Sequence, residues 1–147
     1  VEETTDFIFG PSTALFENCE IRSKTNSYVT AASTPEDIAV GYVFKNCKLT
    51  ANPGVDKVYL GRPWRPYAAT VFINCEMGKH IRPEGWHNWG KEENEKTARY
   101  AEYNSTGEGA AAAGRVKWAK QLTKKEAAQY DDLNYIYRMC SDWKPEN

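Results

Sequence analysis

Three copies of the pattern Phe-x-Asn-Cys-x-aliphatic, repeating every 28 residues, constrain this chain more than any other feature. They read ALFENCEI at 14–21, YVFKNCKL at 42–49 and TVFINCEM at 70–77, so that Cys19, Cys47 and Cys75 are evenly spaced. A fixed period in this range marks a solenoid, in which each repeat is one unit stacked on the last. Within each copy mostly polar positions (Glu17, Lys45, Ile73, then Glu20, Lys48, Glu76) alternate with Phe, Cys and an aliphatic residue, the period of a strand and not of a helix. Each copy is therefore predicted to be one rung of a parallel β-helix. Phe16, Phe44 and Phe72 should stack inside, with Ile21, Leu49 and Met77 as a second column. Asn18, Asn46 and Asn74 are expected to form an internal amide ladder at a corner, with neighbours about 4.8 Å apart. The three cysteines are expected to be small buried hydrophobes rather than disulfide partners.

A length of 147 residues with 41% hydrophobic content suits one domain with its own core. The predicted organisation is all-β: three to four rungs with their loops over 1–110, then a tail over 111–147. Loops are expected at 23–37, 50–57 and 78–95, and a further strand within 97–110. Thr123-Lys124-Lys125-Glu126 has the form of a capping box and is followed by Ala127, Ala128 and Leu133, so a short helix near 124–130 should close the end of the solenoid. At the other end the apolar run Phe7-Ile8-Phe9 begins almost at once and leaves no room for a cap. An uncapped rung exposes a strand edge, so the chain is expected to be the C-terminal piece of a longer solenoid and to self-associate through that edge.

Charge and composition close off several functions. A net charge of -1 offers no excess for nucleic acid or an anionic membrane, and no apolar stretch is long enough to span a bilayer. The four cysteines form no C-x-x-C pair and the two histidines lie apart from them, which argues against zinc. The opening Val1-Glu2-Glu3-Thr4-Thr5 has neither a basic nor an apolar region, so any secretion signal would have been removed or have belonged to a longer precursor.

Candidate chemistry lies between the rungs. Asp6 stands directly before Phe7-Ile8-Phe9-Gly10, Gly61-Arg62-Pro63-Trp64 sets a guanidinium and an indole on a stiff corner, and Gly85-Trp86-His87-Asn88-Trp89 adds two more indoles. Aromatic faces along a solenoid groove suit the flat apolar faces of sugar rings. Taken in order, DFIFG at 6–10, YLGRPW at 59–64, I-x-P-x-GWHNW from Ile81 to Trp89 and ARYAEYNSTGEGA at 98–110 resemble the pectin methylesterases, or pectinesterases, over nearly the whole chain. The resemblance implies a right-handed parallel β-helix outside the cytoplasm, secreted or periplasmic. The implied reaction hydrolyses galacturonate methyl esters of pectin to acidic pectin and methanol, without metal or cofactor. It implies Asp6 as the nucleophile, Arg62 as the cation that holds it, and Phe9, Trp64 and Trp86 as substrate contacts. An adjacent Arg favours the ionised carboxylate and fixes its direction, which matters for so weak a nucleophile.

The family pattern also calls for a second Asp as general acid and base, in a Gln-Asp-Thr-Leu-like string one rung before DFIFG, with Gln residues for the oxyanion. Only five residues precede Asp6, so this chain is expected to lack both and to be inactive alone. Two other classes are open to the sequence. One is a carbohydrate-binding β-helix that keeps the aromatic groove without chemistry. The other is a pectate lyase-like β-helix with calcium, for which Glu92, Glu93 and Glu95 offer only a solvated charge run.

Overall fold

Each of the first three turns of the chain adds one short strand to each of three parallel sheets in the computed structural model, which describes residues 2–3, 8–131 and 137–139. The first turn consists of β1 (Glu2–Glu3), β2 (Ile8–Gly10) and β3 (Ala14–Glu17), and the second of β4 (Glu20–Ser23), β5 (Tyr28–Ala32) and β6 (Tyr42–Lys45). The third consists of β7 (Lys48–Ala51), β8 (Tyr59–Gly61) and β9 (Ala69–Ile73). A fourth begins with β10 (Glu76–Met77) and crosses the second sheet through single bridges, Ile81 to Val58 and Trp86 to Gly61. It then passes the short helix α1 (Asn94–Thr97) and ends in β11 (Arg99–Tyr103). Beyond lie β12 (Lys120–Gln121), the helix α2 (Lys124–Ala128) and β13 (Tyr137–Met139). The sheets run β1-β4-β7-β10, β2-β5-β8 and β12-β11-β9-β6-β3-β13. The predicted parallel β-helix is thus the observed architecture.

The 28-residue period holds along β4, β7 and β10 of the first sheet and β3, β6 and β9 of the third, where Ile21 faces Leu49 and Phe16 faces Phe44, but not in the second, where Tyr28 faces Tyr59. That is why β5 falls inside a stretch expected to be a loop: its rung-mate is 31 residues away and shares no Phe-x-Asn-Cys signature. The strand expected within 97–110 is β11.

The aromatic column forms as expected. Phe16 and Phe44 stack with centroids 4.7 Å apart, Phe44 and Phe72 at 4.5 Å, and all three rings are buried. Burial of each such side chain contributes about 1.5–3 kcal/mol. Ile21, Leu49 and Met77 form the second column, aligned by register and fully enclosed.

In the fourth turn the column ends on a charge. Glu102 occupies the register position next to Phe72, so a carboxylate sits where the ring should continue. Arg115 meets it, its Nε 2.7 Å from Oε2, with both side chains 2% exposed. The rest of the guanidinium donates to the carbonyls of Arg82, Pro83 and Gly109, while Ser105 donates to Glu102 Oε1 at 2.9 Å. Each polar atom is answered, as a buried ion pair requires.

The asparagine ladder requires a correction. Asn18, Asn46 and Asn74 do align, but they are exposed at the corner and not internal. Each adopts a left-handed backbone, with φ of 59°, 56° and 54°. Asparagine tolerates this conformation better than other residues with a Cβ, and the backbone N–H of each still donates to the next turn, to Lys45 O, Ile73 O and Tyr103 O. Asn104, with φ 54°, is a fourth member, and its Nδ2 donates to Asn74 Oδ1 at 2.8 Å. The spacing of 30 residues from Asn74 hides it from a 28-residue search. Asn46→Ala should cost about 1–2 kcal/mol while Asn46→Gly is nearly neutral. Urea midpoints with an unchanged m-value would measure this, and equal costs for both variants would refute the conformational account.

The cysteines divide. Cys47 and Cys75 are buried free thiols, each with its sulfur near a backbone carbonyl of the preceding turn: Phe16 O at 3.3 Å and Phe44 O at 3.5 Å. Cys19, expected to behave as they do, is instead disulfide-bonded. At the tail α2 carries the expected capping box, with Thr123 Oγ1 accepting from Glu126 N and Glu126 Oε1 accepting from Thr123 N. Ala127 turns inward against Val71, Ile73 and Ala101 of the third sheet. Leu133 lies outside the described residues.

Candidate active site

The outer face of the second sheet gathers most of the residues singled out from the sequence. β2, β5 and β8 bring Phe9 beside Ala31 and Tyr28 beside Tyr59. Past the end of β8 the chain keeps the ladder going, with Arg62 N–H donating to Thr30 O at 3.0 Å and Trp64 N–H to Ala32 O at 2.9 Å. His87 N–H then donates to Gly61 O at 3.0 Å, which seats the GWHNW segment as the following rung. Rigid strand register, and not loop packing, therefore sets the spacing of these side chains.

Phe9 and Trp64 form an exposed aromatic pair, 63% and 41% accessible, with rings edge to face at 5.8 Å. Arg62 lies between two further rings, its guanidinium carbon 3.8 Å from the Tyr28 centroid and 3.9 Å from that of Trp89. Tyr28 and Tyr59 stack at 5.3 Å, and Arg82 lies over Tyr59 at 5.0 Å. The result is a cationic centre in an aromatic groove, an arrangement able to hold an anion at one point and to carry sugar faces along its length.

Asp6 lies outside the described residues, two positions before Ile8 at the start of β2. β2 itself is well fixed. Ile8 registers with Thr30, the residue whose carbonyl also receives Arg62 N–H, and Tyr42 Oη donates to Gly10 O at 3.2 Å. Burial pushes the Tyr42 phenol up to about 12, so it remains a donor across the physiological range.

Trp86 is the correction at this site. It faces inward at 1% exposure, stacked on Tyr100 at 4.3 Å and tilted against Phe72 at 5.8 Å, and it does not offer its ring to the groove. Gly61 makes room for it. A Cβ at that position would lie 3.3 Å from the Trp86 ring and would collide with Thr30 Oγ1. The indole that reaches the groove from this motif is Trp89.

Two supports of the site were not among the residues singled out from the sequence. Arg99 ties the loop after β5 to the loop carrying Arg62 and Trp64, donating to Pro35 O and Ile38 O on one side and to Tyr67 O on the other. Tyr28 was concealed in an expected loop, although Ser-Tyr-Val-Thr at 27–30 and Val-Tyr-Leu-Gly at 58–61 form a second repeat, spaced by 31 residues, that could have disclosed it.

The comparisons with known proteins agree with the geometry. A family model described as Pectinesterase matches residues 1–139, and the chain belongs to that family. It is 42% identical to Pectinesterase 31 of Arabidopsis thaliana over 92% of its own length and 43% of that protein's, and 35% identical to Pectinesterase QRT1 of the same plant over 93% and 36%. Among solved structures it superposes on the pectin methylesterase from carrot with a TM-score of 0.79 at 32% identity, covering 86% of this chain and 44% of that one. A pectin methylesterase in complex with a hexasaccharide matches at a TM-score of 0.77 and 31% identity, covering 98% and 49%. The chain thus spans less than half the length of these relatives.

Proposed function

We propose that this chain is the C-terminal portion of a pectin methylesterase β-helix domain, secreted to where pectin lies in the cell wall. It would hydrolyse galacturonate methyl esters to acidic pectin and methanol as part of a longer protein. Asp6 attacks the ester carbonyl, Arg62 keeps its carboxylate ionised and aimed, and Phe9 and Trp64 carry the sugar chain. The observation that supports this most is the placement of Arg62, at the end of β8 two strands from β2 across β5, held between two rings in an exposed aromatic groove. The protonation of the leaving methoxide and the donors for the oxyanion come from a preceding rung.

Methanol release from methyl-esterified pectin tests this reading. A longer protein that adds the Gln-Asp-Thr-Leu-like rung before Val1 should be active and the isolated chain inactive. Turnover by the isolated chain would refute the division of the site, and pectin binding without turnover by the longer protein would favour a carbohydrate-binding module.

A further inference from the structure

Trp89, which covers one side of Arg62, has a left-handed backbone with φ 63°. A bulky residue in this region costs about 1–2 kcal/mol and persists only where its surroundings impose it. Here four hydrogen bonds do so. Trp89 N–H donates to His87 Nδ1 at 3.0 Å, so the imidazole plays the part that an Asn oxygen plays two residues before such a turn. Gly90 N–H donates to Asn88 Oδ1 at 2.8 Å, Asn94 Nδ2 donates to Asn88 O at 3.2 Å, and Asn88 Nδ2 donates to Glu95 Oε2 at 2.9 Å. The imidazole is fixed in turn by edge contacts to Tyr28 at 5.6 Å and Tyr59 at 5.1 Å. Because Nδ1 accepts a hydrogen bond, the ring is neutral and carries its proton on Nε2.

We propose that His87 is a positioning residue whose neutral imidazole holds Trp89 over Arg62 and thereby sets the plane of the guanidinium against Tyr28. The proposal rests on the reading of Arg62 as the cation that aims the nucleophile. His87 faces the cations Arg62 and Arg82, the phenols Tyr28 and Tyr59, and the carboxylates Glu84 and Glu95. Burial first, and then the two arginines, push its pKa below the ordinary imidazole value. The acceptor is therefore present at neutral pH. Acidification through that lowered value protonates Nδ1, which can no longer accept from Trp89 and repels Arg62. Activity that depends on the clamp is present above the His87 pKa and lost below it.

The test is read by NMR on this chain, since a side chain between two aromatic rings has resonances shifted upfield by ring currents. The Arg62 signals should be upfield at pH 7 and move toward their unstructured positions on acidification, with the midpoint of the His87 ring signals. His87→Asn supplies an acceptor that does not titrate, and should keep the upfield shift while abolishing its pH dependence. His87→Phe keeps the edge contacts without the acceptor and should lose most of the shift at every pH. Arg62 signals that ignore the His87 titration in the unsubstituted protein, a result needing no variant, would overturn the proposal. In the longer protein His87→Phe should lower kcat about tenfold with KM little changed, and His87→Asn should restore it. A lost ring-current shift with unaltered methanol release would instead remove Arg62 from the chemistry, and His87's positioning role with it.

Discussion

Arg115→Ala should destabilise the fold by about 3–5 kcal/mol, the range for removing one partner of a buried ion pair. The substitution leaves Glu102 in the interior with Ser105 as its remaining donor, and it releases the carbonyls of Arg82, Pro83 and Gly109 together. It also removes the packing of the arginine stem against Gly85, where a Cβ would collide with Arg115 Cδ. Urea denaturation measures the loss. The paired change Glu102→Leu with Arg115→Met should recover much of it, because an apolar pair needs no desolvation and continues the Phe16–Phe44–Phe72 column. A loss below about 1 kcal/mol for the single substitution would show that the pair does not organise this end of the solenoid.

In the longer, active protein, Asp6→Asn should lower kcat by roughly 10⁴-fold or more, the scale seen when a nucleophile is removed. Arg62→Lys should cost about 100-fold. The second figure follows from the geometry of the groove. The ring centroids of Tyr28 and Trp89 lie 3.8 and 3.9 Å from the carbon of a planar group, a slot that an ammonium neither fills nor aligns in. Initial rates of methanol release would measure both, and near-normal turnover by the Asp6→Asn variant would overturn the assignment of roles.

How much of this was legible in the sequence depended on where the period is strict. Along β3, β6 and β9 of the third sheet and β4, β7 and β10 of the first, 28 residues separate the rungs, so the phenylalanine column and its aliphatic companion could be read directly. The second sheet, which carries the site, could not, since loops of unequal length enter it and shift Tyr28 and Tyr59 to a 31-residue spacing. The asparagines were aligned correctly but turned the wrong way, because alternation alone does not disclose a positive φ, and that conformation carries the side chain outward. Trp86 and Trp89 share one motif, and no periodic signal distinguishes the indole that fills the space over Gly61 from the one that covers Arg62. Glu102 was likewise concealed, since a charge in a core position has meaning only once Arg115, 13 residues on, is known to reach it.

The Glu102–Arg115 pair also gives the solenoid a direction of growth. A repeat inserted between β6 and β9 would lay a ring on a ring and keep the column continuous. After β11 the place is already taken: β12 pairs with it, Glu102 beside Gln121, and Trp118 packs on Tyr100, so a further repeat there would have to displace the tail and cover a carboxylate and a guanidinium whose hydrogen-bonding capacity is already used. The stack is therefore extensible from within but closed at this end, by a tail strand on the sheet edge and by the exchange of Phe for Glu in the column beneath it.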